Sequence, residues 1–240
     1  MSALLETRVL TRRFGGVNAV DHIDFTLEQG ELRCLIGPNG AGKSTFFKML
    51  CGLLRPSGGD IILRGEKITG AEPHEIARRG VGIKTQVPSL FDGMTVRQSI
   101  ELSALRRQTN RTARKSAMRL MESLTLDKLD NSVVGSLAHG QRQWVELAMV
   151  LATDPELVLL DEPTAGMAKD EVERMAGLIR EINRDHTLII VEHDMNFIRM
   201  IARKVTVFNR GSILAEGHIE SILANQKVRD VYLGKGRDRA

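Results

Sequence analysis

The sequence predicts an α/β fold built on a parallel sheet, and three observations carry that prediction. Short apolar runs alternate with stretches of helical spacing after a strand-rich beginning. A glycine-rich loop at 37–42 joins one apolar run to a helix. Residues 92–152 carry helical periodicity and no convincing strand, which marks an all-helical insert.

Taken in order, residues 22–27 alternate Ile23, Phe25 and Leu27 with polar neighbours, the period of a half-buried strand, and Gln29-Gly30 supplies a turn. Residues 31–36 are more continuously apolar, as expected of a strand covered on both faces. The glycine-rich loop follows, then a helix over 43–51 ending near Gly52. Pro56-Ser57-Gly58-Gly59 forms a turn before a short strand at 60–63, and 81–85 is another strand. Within the insert, 96–105, 111–124 and 141–152 read as helices. Beyond it the pattern is strand 157–160, helix 169–182, strand 187–191, helix 194–201 and strand 205–209. A hairpin-like stretch at 212–217 leads to a short helix and the tail.

Composition narrows the function. At 240 residues, 42% hydrophobic and 27% charged, the chain suits one large globular domain or two small ones, not a disordered, fibrous or disulfide-held protein. Only 4% of residues are aromatic and the net charge is +4, which argues against a nucleic-acid partner. Cys34 and Cys51 belong to no metal-ligand cluster and read as small core hydrophobes in a reducing compartment. No apolar run approaches the ~20 residues of a membrane span, and the first 13 residues contain no signal-peptide core. A cytoplasmic location follows, with any membrane role acting through a partner.

The strongest motif is Gly37-Pro38-Asn39-Gly40-Ala41-Gly42-Lys43-Ser44-Thr45, which satisfies G-x-x-x-x-G-K-[ST] between a buried strand and a helix. Glycines let main-chain N–H groups converge on phosphate oxygens, and the helix N-terminus adds its positive end. Lys43 is then expected at the terminal phosphates and the Ser44 hydroxyl at Mg²⁺. A second apolar strand ends in Asp161-Glu162. Ligands of parallel sheets bind at the carboxyl ends of strands, so Asp161 is expected to hold Mg²⁺ and Glu162 to act as general base on water. His193 and Gln86 each follow a strand in the same way. His193 is expected near the terminal phosphate, and the Gln86 amide within reach of a metal-bound water and a neighbouring segment.

With Leu137-Ala138-His139-Gly140-Gln141 at a helix start, the chain resembles the ATP-binding cassette (ABC) family, whose signature is Leu-Ser-Gly-Gly-Gln. The order of phosphate loop, glutamine, signature, Asp-Glu and histidine matches that family over nearly the whole chain. The resemblance implies a P-loop NTPase (RecA-like) core with an antiparallel β subdomain, from 1–91 and 153–240, and a helical signature subdomain at 92–152. It implies ATP and Mg²⁺ as ligands and Phe14 as the adenine-stacking aromatic, with a plain core-strand role as the alternative for Phe14. It also implies a head-to-tail dimer with a second ABC ATPase chain, permease subunits in the membrane, and indirectly a periplasmic or extracellular substrate-binding protein. Gln86 and the loop 87–91 would couple nucleotide state to the membrane partner.

Within the family the sequence is similar to ATP-binding subunits of branched-chain amino acid and urea or amide importers. That similarity lies in Arg13-Phe14-Gly15-Gly16, His139-Gly140-Gln141, Ala165-Gly166-Met167, the stretch 201–207 and Val231-Tyr232-Leu233-Gly234. The resemblance therefore implies an importer ATPase at the cytoplasmic side of the cell membrane. A lipid-exporter motor, a soluble non-transport ABC ATPase and a binding-only cassette are the alternatives. Two positions depart from the family pattern: Ala138 replaces a serine and Ala168 an aspartate, so one site of a mixed dimer is expected to be weaker. From 102 to 121 there is no acid but there are six arginines or lysines, a solvated face or else an attraction to anionic lipid.

Overall fold

The computed structural model describes residues 3–87 and 89–233. Pro88, Gly234 and the basic residues Lys235, Arg237 and Arg239 of the tail lie outside the described residues. Two sheets organise the chain. β1 (Ala3–Phe14) and β2 (Val17–Glu28) pair antiparallel, and β4 (Gly58–Leu63) and β5 (Glu66–Lys67) extend them in the order β2-β1-β4-β5.

The second sheet is the scaffold of the site. It contains β3 (Leu32–Ile36), β6 (Val81–Lys84), β7 (Leu157–Asp161), β8 (Thr187–Val191), β9 (Lys204–Asn209) and β10 (Ser212–His218), ordered β10-β9-β3-β8-β7-β6. All pairs are parallel except β9 with β10. Register sets the strand ends level: Leu35 pairs with Val191, Asp161 with Val191, and Lys84 with Leu160. The segments leaving β3, β6, β7 and β8 therefore emerge side by side along one edge.

Strand periodicity divides the core between the sheet's faces. Cys34, Ile36, Val158, Leu160, Leu188 and Ile190 belong to one buried cluster, whereas Leu35, Leu159, Ile189 and Val191 belong to the other. The second cluster takes in α1 (Lys43–Leu50), through Phe46, Phe47 and Met49, and the antiparallel sheet, through Leu10, Ile23 and Phe25. The first cluster takes in the helices of the insert: α3 (Val96–Ala104), α4 (Asn110–Ser123) and α5 (His139–Ala152). Ile100, Ala117, Met121, Trp144 and Leu147 thus share a core with the sheet. α6 (Lys169–Ile182) and α7 (Met195–Ile201) close the same face.

Local chemistry fixes the element ends. Thr95 accepts from the Gln98 N–H while Gln98 accepts from the Thr95 N–H, a reciprocal cap that starts α3. Asp194 caps α7 by accepting from Asn196 and Phe197. Several elements differ from the sequence reading. α2 (Pro73–Arg78) was not expected, and α5 begins at His139, two residues before Gln141. Gly58 and Gly59, read as a turn, begin β4. The single short helix expected near the end is two, α8 (Ile219–Ala224) and α9 (Gln226–Leu233).

Candidate active site

The loop between β3 and α1 is built so that only glycine fits at its ends. Gly37 (φ +149°) would bring a Cβ to 2.3 Å from the Phe208 carbonyl oxygen, and Gly42 (φ +105°) to 2.4 Å from that of Ala19. Both backbones occupy conformations that side-chain-bearing residues rarely adopt. Lys43 opens α1, is 8% exposed, and donates from Nζ to the carbonyls of Gly37 (2.6 Å) and Pro38 (3.0 Å). Burial lowers the Lys43 pKa, and the nearby Glu162 and Asp161 carboxylates oppose the shift. Ser44 is exposed beside it and Thr45 half-buried. The result is a main-chain cradle carrying one confined cation, with a helix N-terminus behind it, an arrangement that selects anionic phosphate oxygens.

Beside the cradle, β7 delivers two carboxylates with different surroundings. Asp161 is 5% exposed, and burial followed by the adjacent Glu162 charge pushes its pKa up to about 6. Glu162 lies just past the strand at φ +47°, a non-glycine backbone outlier. Such a conformation costs on the order of 1–3 kcal/mol and persists only where surrounding structure imposes it. Here its N–H donates to the Val191 carbonyl at 2.9 Å. Its two carboxylate oxygens face different partners: Gln86 Nε2 donates to Oε2 at 2.8 Å, and His193 Nδ1 lies 3.4 Å from Oε1. Three residues that the sequence placed independently after β6, β7 and β8 thus meet at one carboxylate.

Ser44, Asp161 and Gln86 offer hydroxyl, carboxylate and amide oxygens. This hard-oxygen set with one protein carboxylate suits Mg²⁺ shared with substrate phosphates, and does not suit a thiophilic metal. Among the described residues no group of three or more His, Cys, Asp or Glu forms a separate metal cluster.

Two supports are absent from the sequence reading. Glu192, whose side chain is 0% exposed, accepts from the N–H groups of His193 (2.9 Å), Asp194 (3.3 Å) and Thr164 (3.3 Å) and from the Thr164 hydroxyl. It ties the segment after Glu162 to the segment carrying His193. Lys84, two residues before Gln86, is 0% exposed and sits 3.4 Å from Glu146 of α5, itself 6% exposed at the side chain. Glu146 also accepts from the Ser89 N–H at 3.0 Å. A charged residue inside an apolar strand, or directly after one, was the available signal for both.

The signature residues stand apart from this site. Among the described residues no hydrogen bond or ion pair joins Leu137, Ala138, His139, Gly140 or Gln141 to the segment 37–45. Gln141 instead accepts from the Ala138 N–H at 3.0 Å, the half of a capping box that needs no side-chain acceptor at Ala138. A Cβ on Gly140 would approach Glu171 Oε1 to 2.9 Å, and one on Gly166 would approach the His139 ring to 3.1 Å. Phe14 ends β1 46% exposed, with the Arg12 guanidinium 4.6 Å above its ring, which overturns the core-strand alternative and leaves an aromatic face at the surface. Both cysteines are free and buried, with thiols pushed up by desolvation, as inert core residues should be.

Comparison with known proteins follows the same lines. The family model described as "ABC transporter" matches residues 20–165. BraF of Pseudomonas aeruginosa, a high-affinity branched-chain amino acid transport ATP-binding protein, is 36% identical over 97% of this chain and 98% of its own length. LivG of Escherichia coli, of the same description, is 35% identical over 97% of this chain and 98% of itself. Among solved structures, an ATP-binding cassette of an ABC transporter in its ADP conformation superposes with a TM-score of 0.86 at 27% identity. That superposition covers 98% of this chain and 100% of the other.

Proposed function

This chain belongs to the ABC transporter family and is an ATP-binding, ATP-hydrolysing cassette, and from that premise we propose that it powers a nutrient importer, with branched-chain amino acids as the cargo class. Urea or short amides are the neighbouring cargo choices. The observation that carries the catalytic part is the position of Glu162, held between Gln86 and His193 at the strand ends beside the Lys43 cradle.

The proposed roles follow from chemistry. Main-chain N–H groups of 37–45 and Lys43 bind the terminal phosphates of ATP, the reaction's substrate. Phe14 offers its exposed ring to the adenine. Glu162 accepts the proton of the attacking water, and its dual contact with Gln86 and His193 orients the carboxylate for that step. His193, 64% exposed at the side chain, is free to turn toward the phosphate being released. Mg²⁺, held by Ser44, Asp161 and Gln86, would neutralise charge on the phosphate oxygens. The residues 37–45 with Phe14 and the pair Asp161-Glu162 fall in the nucleotide-binding core, 1–91 with 153–240, and the signature in the helical unit, 92–152.

Because no hydrogen bond or ion pair among the described residues joins the signature to the chain's own loop, its Leu137–Gln141 segment is assigned to a site completed by a second cassette. With Ala138 lacking a hydroxyl, that site is the weaker of the pair. The membrane permease is assigned to a hollow of about 440 Å³ lined by Leu53, Ile83, Ser89, Phe91, Arg106 and Glu146, next to the loop that follows Gln86. No helix among the described residues is long and apolar enough to cross a membrane. Membrane association would therefore be peripheral on the cytoplasmic side, through permease subunits that a substrate-binding protein supplies.

ATP-dependent uptake of labelled leucine into vesicles carrying the permease, the partner cassette and this chain tests the assignment. Uptake that stops with Glu162→Gln in this chain is the expected result. Uptake indifferent to the chain's presence overturns it.

A further inference from the structure

A third surface remains after the nucleotide cradle and the permease hollow are assigned. α4 presents Ala113, Ala117 and Met121 to the core, and on the opposite side Arg111, Arg114, Lys115 and Met118 recur at helical spacing. α3 adds Leu102, and its C-cap adds Leu105, one turn further on. Leu102, Leu105 and Met118 are 46%, 41% and 46% exposed, and Leu105, Met118 and the three cations line a shallow hollow of about 610 Å³. No acidic residue occurs from 102 to 121. The one carboxylate at the hollow is Glu101, 4.0 Å from Arg114 Nε. Among the described residues, Arg111 and Lys115 have no side-chain hydrogen bond or ion pair.

We propose that this face docks on an anionic phospholipid surface, with Leu102, Leu105 and Met118 set among the acyl chains' upper segments and Arg111, Arg114 and Lys115 on headgroup phosphates. Charge complementarity favours lipid, and the interleaved apolar side chains decide against nucleic acid, since none is aromatic and none can stack a base. Long basic side chains keep their heads at the headgroup level while their stems cover apolar surface. Ser103 of α3 and Arg106, two residues past its end, line the permease hollow, so the two surfaces adjoin around the end of one helix. The inference thereby adds a lipid contact to the proposed membrane partnership and rests on that reading for its orientation, though its test needs no permease. Each cation near an anionic surface strengthens partition about fivefold, so three contribute roughly a hundredfold. That is a secondary anchor which works beside a protein contact.

Sedimentation of the full-length chain with phosphatidylglycerol–phosphatidylcholine vesicles, against phosphatidylcholine alone, tests the proposal. Binding should require the anionic lipid and should weaken steeply between about 0.1 M and about 1 M salt. The triple variant Arg111→Gln, Arg114→Gln, Lys115→Gln should lose roughly a hundredfold in partition. Leu105→Ser with Met118→Ser should weaken binding while leaving its salt dependence. Both variants should keep basal ATPase activity, which reports the fold. Equal binding to neutral vesicles, wild-type binding by the triple variant, or no vesicle binding by the wild type would overturn it. Leucine uptake, read separately, tells failure of this inference from failure of the importer assignment.

Discussion

The buried Lys84–Glu146 pair yields a quantitative prediction that does not depend on transport. At 3.4 Å the two charges attract by about 5 kcal/mol at an effective dielectric near 20, a gross figure largely offset by the cost of removing both from water. Removing one partner is different, because the other stays buried without compensation. Lys84→Met or Glu146→Gln should each cost about 3–5 kcal/mol, whereas the double variant should lie within about 1 kcal/mol of wild type or above it. The singles should respond to pH in opposite directions. Burial raises the Glu146 pKa, so in Lys84→Met the folded state binds the extra proton, and the deficit should shrink as pH falls toward the ordinary glutamate value of 4.5. Burial lowers the Lys84 pKa, so in Glu146→Gln the unfolded state binds the extra proton, and stability should recover as pH rises toward 10.5. Urea unfolding followed by Trp144 fluorescence is the assay. Trp144 is the chain's one tryptophan, is 4% exposed, and lies on the same helix as Glu146. Additive single and double effects, or singles with the same pH slope, would refute the pairing.

Other outcomes follow from the site. Glu192→Gln places an amide donor among three N–H groups and a hydroxyl that already donate to that carboxylate, so steady-state kinetics should show kcat falling about tenfold or more with KM for ATP nearly unchanged. Phe14→Ala should do the reverse, weakening ATP binding by titration about five- to tenfold with kcat kept, the lower range of a stacking loss because the ring is half exposed. Ala138→Ser restores a hydroxyl at the signature and should raise turnover at the weaker site of a reconstituted pair about tenfold. Unchanged turnover there would show that the hydroxyl does not matter.

Legibility in the sequence tracked how local each signal was. β3, β7 and β8 were readable because strands covered on both faces are continuous apolar runs, and the phosphate loop because its chemistry allows few residue types. β1 was not delimited because Arg8, Arg12 and Arg13 interrupt its alternation and bulges shift its register against β2. α2 is six residues long and starts at Pro73 after the extended N-cap Glu72, too short for a period to register. The meeting of Gln86, Glu162 and His193 depends on the order β6-β7-β8, which no spacing reveals. Glu192 carries no local signal of its role because its donors are the N–H groups of Thr164, His193 and Asp194, contacts made only by the folded chain. Lys84 carries none either, because its partner lies on a helix of the insert.

Single-turnover hydrolysis by Glu162→Gln, measured beside equilibrium ATP binding, reaches the catalytic assignment most directly. Binding within about twofold of wild type, together with hydrolysis slowed by about a hundredfold or more, is the predicted result. Hydrolysis near the wild-type rate would remove Glu162 from the chemistry and reduce its contacts with Gln86 and His193 to surface packing.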